Sequence, residues 1–176
     1  NLKNNFYLIW IDQLTKAVWF QIFRELASNN RSQNKYLYSV QEARQLSKSI
    51  EGNFDSSFVI SEKNFFLYGI CEINNRDYLF SLNLKKTKQD IHRIKKFKNF
   101  AGELSSNTSA SLLSWIEWDS PYMPWEKNDL FFAQIDLDGE IQKIKKFSDN
   151  LITAKNNVSF FQPYWISQTV LVCSED

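Results

Sequence analysis

The sequence contains few of the residues that form most catalytic centres. Its 176 residues include one histidine, His92, and only four glycines. No two glycines form the G-x-S-x-G turn that aims the nucleophilic serine of an α/β-hydrolase. His92 lies in "DIHRIKK", whose alternation of residue types is typical of a solvent-facing strand rather than of a general base. We therefore expect no catalytic residue on this chain.

The spacing patterns of metal and nucleotide sites are also missing. Cys71, Cys173 and His92 are far apart in the sequence, whereas zinc sites usually contain a close pair of ligands. The segment "DLDGE" (136–140) has three carboxylates around a glycine, but a β-turn between strands accounts for it. No G-x-G-x-x-G or P-loop pattern is present. The sequence predicts neither a metal nor a cofactor.

Charge and hydropathy give no reason to expect nucleic acid or membrane partners. Lys and Arg number 21 against 20 Asp and Glu, which leaves a formal charge of +1. No apolar run approaches the ~20 residues of a membrane span, and no signal peptide opens the chain. Both cysteines lie in apolar runs, so we expect buried reduced thiols. The expected compartment is the cytoplasm. Because the first residue is Asn and the last segment is strand-like, we expect a piece of a longer protein.

Short β-type runs dominate the sequence. "FYLIWID" (6–12) and "AVWFQIF" (17–23) flank the polar "QLTK", which predicts a hairpin. Residues 39–50 are the one place where a helix is plausible, because apolar residues recur there at helical spacing after Ser39. A long loop is the alternative for this segment.

A repeat of about 50 residues organises the rest of the chain. "DYLFSLNLKKTKQDIHRIKKF" and "NDLFFAQIDLDGEIQKIKKF" can be superposed, with "IKKF" ending each. Four strands per unit at ~40–50-residue spacing are typical of propeller blades. In each unit the second strand is the most apolar, and the fourth is basic, as expected of an outer edge strand.

We therefore predict an all-β chain that forms part of a β-propeller of four-stranded antiparallel blades. The expected units are an incomplete blade with a loop or short helix (1–53), two blades (54–97 and 98–147) and the start of another (148–176). A β-sandwich is the alternative architecture. We expect the six tryptophans to fill spaces between blade faces.

The segment "SPYMPWEKN" (120–128) connects two strands of one predicted blade and is too long for a tight hairpin. Its two prolines stiffen it by fixing φ and removing backbone donors. We expect its aromatic and Met side chains to pack back over the blade edge. As a candidate wall or interdomain contact the loop comprises Trp118, Asp119, Pro121, Tyr122, Met123, Pro124 and Trp125.

The string "SLLSWIEWDSPYMPWEKNDLFFAQIDLDGEI" resembles the propeller domain of the prolyl oligopeptidase family, in particular bacterial dipeptidyl aminopeptidases and acylaminoacyl-peptidases. The positions on that family's pattern are Trp115, Trp118, Asp119, Pro121, Met123, Pro124, Trp125, Leu130, Ala133 and Asp138–Gly139. A second pattern of the family falls on Ser159, Gln162, Pro163, Trp165, Leu171, Ser174 and Asp176. Ser120 and Tyr122 depart from the first pattern, where the family has His and Asn. The resemblance covers about residues 98–176.

The resemblance implies a non-catalytic propeller portion that restricts the entry of short peptides to a separate α/β-hydrolase domain. The implied partners are that hydrolase domain, outside this chain, and short peptides. A homodimer through exposed blade faces is a further expectation, since a partial propeller exposes sheet faces that neighbouring blades should cover. The alternative function is a stand-alone binding scaffold with no enzyme attached.

Overall fold

The described part of the chain consists of β-strands and their connections. The computed structural model describes residues 5–26, 37–107, 109–147 and 159–175. Two parts of the expected units lie outside these ranges: residues 148–158 of the blade start expected at 148–176, and residues 27–36 of the first unit. The chain divides into two compact units, one of Asn1–Ile50 with Lys86–Asp90, the other of Glu51–Lys85 with Ile91–Asp176.

Fourteen strands are present in the described residues. In chain order they are β1 Asn5–Ile11, β2 Val18–Leu26, β3 Leu37–Val40, β4 Arg44–Gln45, β5 Asn53–Ser61, β6 Phe66–Glu72, β7 Asp77–Asn83, β8 His92–Lys96, β9 Phe100–Ser106, β10 Leu112–Trp118, β11 Asp129–Ile135, β12 Ile141–Lys146, β13 Phe160–Trp165 and β14 Leu171–Glu175.

The first unit is a sheet built around β2, which pairs antiparallel with β1 on one side and with β3 and β4 on the other. The predicted hairpin of β1 and β2 is confirmed. Its turn is closed by Asp12, whose Oδ1 accepts hydrogen bonds from the Thr15 amide at 2.7 Å and the Thr15 hydroxyl at 2.7 Å. These hydrogen bonds also hold the pKa of Asp12 below its ordinary value.

The helix considered for 39–50 is wrong. Val40 and Leu46 would lie on the same apolar face of such a helix. Val40 instead ends β3 and is 56% exposed, whereas Leu46 is fully buried. The backbone of this segment instead completes the ladder of β2, with Arg44 paired to Phe20 and Val40 to Phe23. The backbone of this segment forms hydrogen bonds with the edge of β2. These tertiary contacts override the helix preference indicated by the spacing of a few apolar residues.

The second unit contains two four-stranded antiparallel sheets, each with its strands in sequence order. One sheet runs β5-β6-β7-β8 and the next β9-β10-β11-β12. The second strands, β6 and β10, are almost wholly buried. The basic fourth strands, β8 and β12, form sheet edges, as the sequence predicted.

These sheets follow one another in a stack, which favours propeller blades over a sandwich. One face of β9–β12 shares a core cluster with β5–β8, and its opposite face packs against the β13–β14 hairpin. A two-sheet sandwich buries only one face of each sheet, so it does not account for a middle sheet covered on both. Contacts between successive sheets also concentrate on their first strands, β5 with β9 and β9 with β13. This arrangement is expected of blades around an axis.

Trp115 lies at the centre of the core between the two complete sheets and is fully buried. Its ring packs edge-on against Phe97 of the preceding sheet, with 6.0 Å between centroids. The indole Nε1 donates to Glu117 Oε1 at 2.8 Å, and the same oxygen accepts from Lys95 Nζ at 2.9 Å. Lys95 and Glu117 are only 19% exposed, so an ion pair joins the sheets where little water reaches it.

A second kind of contact joins each sheet to the next, a hydrogen bond from a side chain of one sheet to the backbone of the following sheet, and it occurs twice. Asp77 Oδ2 accepts a hydrogen bond from the Ala101 amide of β9 at 2.9 Å. One unit later, Asn128 Oδ1 accepts from the Phe160 amide of β13 at 2.9 Å, and Asn128 Nδ2 donates to the Phe160 carbonyl at 2.9 Å. Each side chain lies at or just before the start of a third strand and anchors the first strand that follows. These side chains therefore fix the backbone of the first strand of one sheet against the preceding sheet.

The tryptophan expectation is only partly right. Trp115 and Trp165 are buried, and Trp165 Nε1 donates to Ser114 Oγ at 2.9 Å across two sheets. Trp118 is half-buried, whereas Trp125 is 58% exposed. Trp10 and Trp19 stack on each other within the first unit, at 6.0 Å between centroids.

The "DLDGE" segment forms the expected turn between β11 and β12. Asp136 Oδ1 accepts from the amides of Asp138 and Glu140, both at 2.9 Å, and Gly139 takes a φ of +86°. These backbone hydrogen bonds, that from Glu140 foremost, lower the pKa of Asp136. A side chain at Gly139 would also meet Phe66 and Tyr68, each 3.2 Å from an added Cβ.

Substituting Asn128→Ala should destabilise the second unit by about 2–3 kcal/mol, because a buried backbone amide and carbonyl lose their partner. Urea unfolding, followed by tryptophan fluorescence, measures the change. Gln134→Ala removes an amide from an exposed position of β11 and should change the free energy of unfolding by less than about 0.5 kcal/mol. Equal effects of the two substitutions would contradict the anchoring role of Asn128.

Candidate functional site

The loop between β10 and β11 holds its shape through its own hydrogen bonds. The Tyr122 amide donates to the Asp119 carbonyl at 3.0 Å, and the Met123 amide donates to Glu126 Oε2 at 2.8 Å. The Met123 carbonyl accepts from the Glu126 amide at 2.9 Å. The peptide bond between Ser120 and Pro121 is cis. These contacts define the backbone without any requirement that the aromatic side chains be buried.

The expectation that the loop side chains pack back over the blade edge is therefore wrong. Tyr122 is 46% exposed, Met123 44% and Trp125 58%. Lys127 Nζ lies 5.5 Å from the Tyr122 ring centroid, a cation–π contact at the surface. The structure thus presents three large apolar side chains of one loop to solvent. Such clusters are typical of contact surfaces.

The base of the loop is attached to the sheet. Trp118 stacks on Phe100 of β9, with centroids 5.8 Å apart. Asp119 accepts a hydrogen bond from Asn99 Nδ2, and Lys98 Nζ lies 3.9 Å from its other oxygen. The Pro124 carbonyl accepts from Asn128 Nδ2 at 2.7 Å, which connects the loop to the residue that anchors β13.

Two of the predicted loop residues, Trp118 and Pro124, also line a cleft of about 330 Å³ at the end of the two complete sheets. The cleft lies where β6 and β10 end and where β5 and β9 begin. Among the described residues, its wall contains no basic side chain and four carboxylates: Asp55, Glu72, Asp77 and Glu103. Sequence reasoning did not find this cluster, because its members come from four different strands. The remaining loop residues (Asp119, Pro121, Tyr122, Met123 and Trp125) lie outside the lining of this cleft.

The carboxylates of the cleft are partly satisfied by neighbouring groups. Asp55 Oδ2 accepts a hydrogen bond from the Ser57 hydroxyl at 2.6 Å, and Glu103 Oε2 accepts one from the backbone amide of Gln162 at 2.5 Å. Burial raises the pKa of Asp77, opposed by the hydrogen bond from the Ala101 amide and reinforced by the nearby charges of Glu72 and Asp55. The cleft has a negative potential that favours cationic groups.

The described lining of the cleft and the loop contain neither histidine nor cysteine. His92 Nε2 lies on exposed β8, as predicted, and its hydrogen bond is to Glu140 Oε1 at 2.6 Å. Cys71 is a buried thiol whose pKa burial raises to about 12, so it carries little thiolate at neutral pH. Cys173 is only half-buried.

Within the described ranges, no three His, Cys, Asp or Glu side chains come together in a way that could hold a metal ion. In the same residues, no helix has the length and apolar character needed to cross a membrane.

Comparison with solved structures finds the same fold in larger proteins. The chain superposes with a TM-score of 0.63 and 13% identity on a puromycin hydrolase mutant complexed with PGG. It superposes with a TM-score of 0.61 and 14% identity on a puromycin-hydrolyzing peptidase of Mycobacterium tuberculosis, and with 0.59 and 13% on puromycin hydrolase. Each match covers 97% of this chain and 27% of the other. The chain therefore shares the fold of a quarter of these peptidase chains.

No protein-family model matches the sequence, and comparison with curated proteins gives no match. At 13–14% identity, the structural likeness shows the fold alone.

Substituting Asp77→Asn should raise stability at pH 7 and lose this advantage in acid. The folded-state pKa of Asp77 is raised, so ionising it in the cleft costs stability as pH rises through the window above its ordinary value of 3.8. The neutral side chain of Asn avoids that cost. Its Oδ1 can still accept a hydrogen bond from the backbone amide of Ala101, just as Asn128 Oδ1 accepts one from the backbone amide of Phe160. Urea unfolding at pH 7 and pH 4 measures the difference between variant and parent chain.

The matched control is Asp138→Asn, which makes the same substitution outside the cleft, in the exposed turn between β11 and β12. A stabilisation by Asp77→Asn that is the same at both pH values would show that the charge of the cleft is not its cause.

Proposed function

We propose that this chain is a non-catalytic portion of the propeller of a prolyl-oligopeptidase-like serine peptidase. In the parent protein, a separate α/β-hydrolase domain carries the nucleophile, and the propeller limits which peptides reach it. Candidate activities of the parent are those of acylaminoacyl-peptidases and dipeptidyl aminopeptidases. The propeller acts as a steric filter and contributes nothing to bond cleavage itself. A cytoplasmic, bacterial setting completes the proposal.

The observation that best supports this proposal is the superposition of nearly the whole chain on about a quarter of several peptidase chains. The resemblance of residues 115–139 to the family pattern is an independent support, because it concerns the sequence and not the superposition. The pattern lies on the loop and on the strands that flank it. Among the described residues, the hydrogen bond of His92 is to Glu140 and not to a serine, which is compatible with a division of labour between two domains.

Within this proposal, the side chains of the loop are the contact with the hydrolase domain or the wall of the passage to it. Trp118, Asp119, Pro121, Tyr122, Met123, Pro124 and Trp125 are the residues concerned. Large aromatic side chains that are exposed on a hydrogen-bonded loop suit a contact surface, since they bury much area when they are covered. The cleft beside Trp118 and Pro124 would then border the same passage.

The first test is chemical. A fluorophosphonate probe should label the parent protein on one serine outside residues 1–176, because only an activated serine reacts. The 176-residue chain alone should neither react with the probe nor hydrolyse aminoacyl or dipeptidyl anilides. Mass spectrometry of the labelled peptide locates the serine. Turnover by the chain alone would refute the proposal, and an unlabelled parent would favour the binding scaffold instead.

The second test concerns the loop. Trp125→Ser should change the unfolding free energy of the chain by less than about 0.5 kcal/mol, since the side chain is largely exposed. In the parent protein it should change the ratio of kcat/KM for long over short peptides by roughly threefold or more, since the wall of the passage is altered.

Two control variants separate these effects. Leu14→Ser removes an apolar side chain that is 94% exposed in the first unit and should leave the ratio unchanged. Trp115→Ser empties the core between the sheets and should cost roughly 3–5 kcal/mol of stability. If the Trp125→Ser variant has the same preference for peptide length as the parent protein, the loop does not form the wall of the passage.

A further inference from the structure

The three sulfur atoms of the chain differ in how far an oxidant can reach them. The sequence contains two cysteines and one methionine. Cys71 is 1% exposed, and burial raises its pKa to about 12, so at neutral pH it carries little of the reactive thiolate. Cys173 is half-buried and packs against the apolar cluster around Leu130. Met123 is 44% exposed, and its thioether has no proton to lose before it reacts. Met123 is therefore the most accessible of the three.

Backbone atoms of Met123 hold the loop between β10 and β11 in shape. The Met123 amide donates to Glu126 Oε2 at 2.8 Å, and the Met123 carbonyl accepts from the amides of Glu126 at 2.9 Å and Lys127 at 3.2 Å. A chemical change at the sulfur alters none of the atoms in these hydrogen bonds. The loop can therefore keep its backbone shape while the surface chemistry of the Met123 side chain changes.

The surface around Met123 is apolar and aromatic. Tyr122 and Trp125 of the same loop are 46% and 58% exposed. Oxidation to the sulfoxide adds one oxygen to the Met123 side chain and turns a flexible apolar group into a polar one. It changes both the size and the polarity of the surface that the loop presents to solvent. A methionine at this position is thus a point at which an oxidant can alter the loop without unfolding it.

We propose that Met123 is a reversible oxidation site at which hydrogen peroxide narrows the passage that the loop borders. One peroxide oxygen bonds to Met123 Sδ, the O–O bond breaks, and the second oxygen leaves as water. The sulfur loses two electrons and the peroxide gains them. A methionine sulfoxide reductase reverses the step with a dithiol, which becomes a disulfide as the oxygen leaves as water. The inference rests on the proposed function for the passage, whereas oxidation of Met123 itself does not depend on it.

The first test uses the 176-residue chain. Hydrogen peroxide at neutral pH should oxidise Met123 at a rate within about threefold of that in an unfolded peptide of the same local sequence, because the side chain is exposed. The matched control combines Met123→Leu with Leu113→Met, which moves the methionine to a fully buried position of similar volume. There oxidation should be at least about tenfold slower, since the core must open first. Peptide mass spectrometry measures both rates, and an equally slow rate at both positions would overturn the site.

The second test uses the parent protein. Peroxide should lower the ratio of kcat/KM for long over short peptides by roughly twofold or more, because the added oxygen occupies part of the passage. Treatment with methionine sulfoxide reductases for both epimers should restore the ratio. The Met123→Leu variant of the parent should keep its own starting ratio through the same treatment. This control separates Met123 from other residues of the parent that peroxide oxidises.

A ratio that stays constant while Met123 is fully oxidised would overturn the inference, and so would the same loss of ratio in the Met123→Leu variant. Oxidation of Met123 that is at least about tenfold slower in the parent than in the 176-residue chain would also overturn it, by showing that the hydrolase domain covers the side chain. Fluorophosphonate labelling of the same sample separates these results from failure of the proposed function. In a parent without a reactive serine the peptidase and the passage are both refuted, whereas fast oxidation in the 176-residue chain still supports the modification site.

Discussion

The buried contact around Trp115 determines how the second unit is built. A sheet whose residues are apolar on both faces needs a neighbour on each side, and Trp115 fills the space on one of them. Its indole proton satisfies the carboxylate that pairs with Lys95, so the charges enter the interface with partners. Removing one partner would leave a charge uncompensated in a place that little water reaches, which is costly. The interface therefore fixes which face of β10 meets the preceding sheet, and with it the position of everything at the ends of that strand.

The candidate site follows from this arrangement. Trp118 ends the strand that Trp115 anchors, and the loop after it presents exposed aromatic side chains. The carboxylates of the cleft come together only because the starts of β5 and β9 lie beside the ends of β6 and β10. A loop held by its own hydrogen bonds and an acidic cleft are compatible with the filter that we propose.

The sequence predicted the features that arise from repetition and from local pattern. The repeated "IKKF" correctly identified two edge strands, and the apolar character of β6 and β10 correctly predicted strands that have a partner strand on both sides. The helix at 39–50 failed because a neighbouring strand edge competed for the backbone. The exposure of Tyr122 and Trp125 was missed because the loop is held by its own backbone. The acidic cleft could not be predicted, since Asp55 and Glu103 are 48 positions apart in the chain and meet only when two sheets stack.

The central claim is that the complete sheets are adjacent blades of a propeller that faces a hydrolase domain. An experimental structure of the parent protein tests it most directly. The account predicts β5–β8 and β9–β12 side by side around a common axis and the loop at 119–128 turned toward an α/β-hydrolase domain. Two sheets closed face to face as a sandwich, with the loop in solvent and no hydrolase domain, would contradict it.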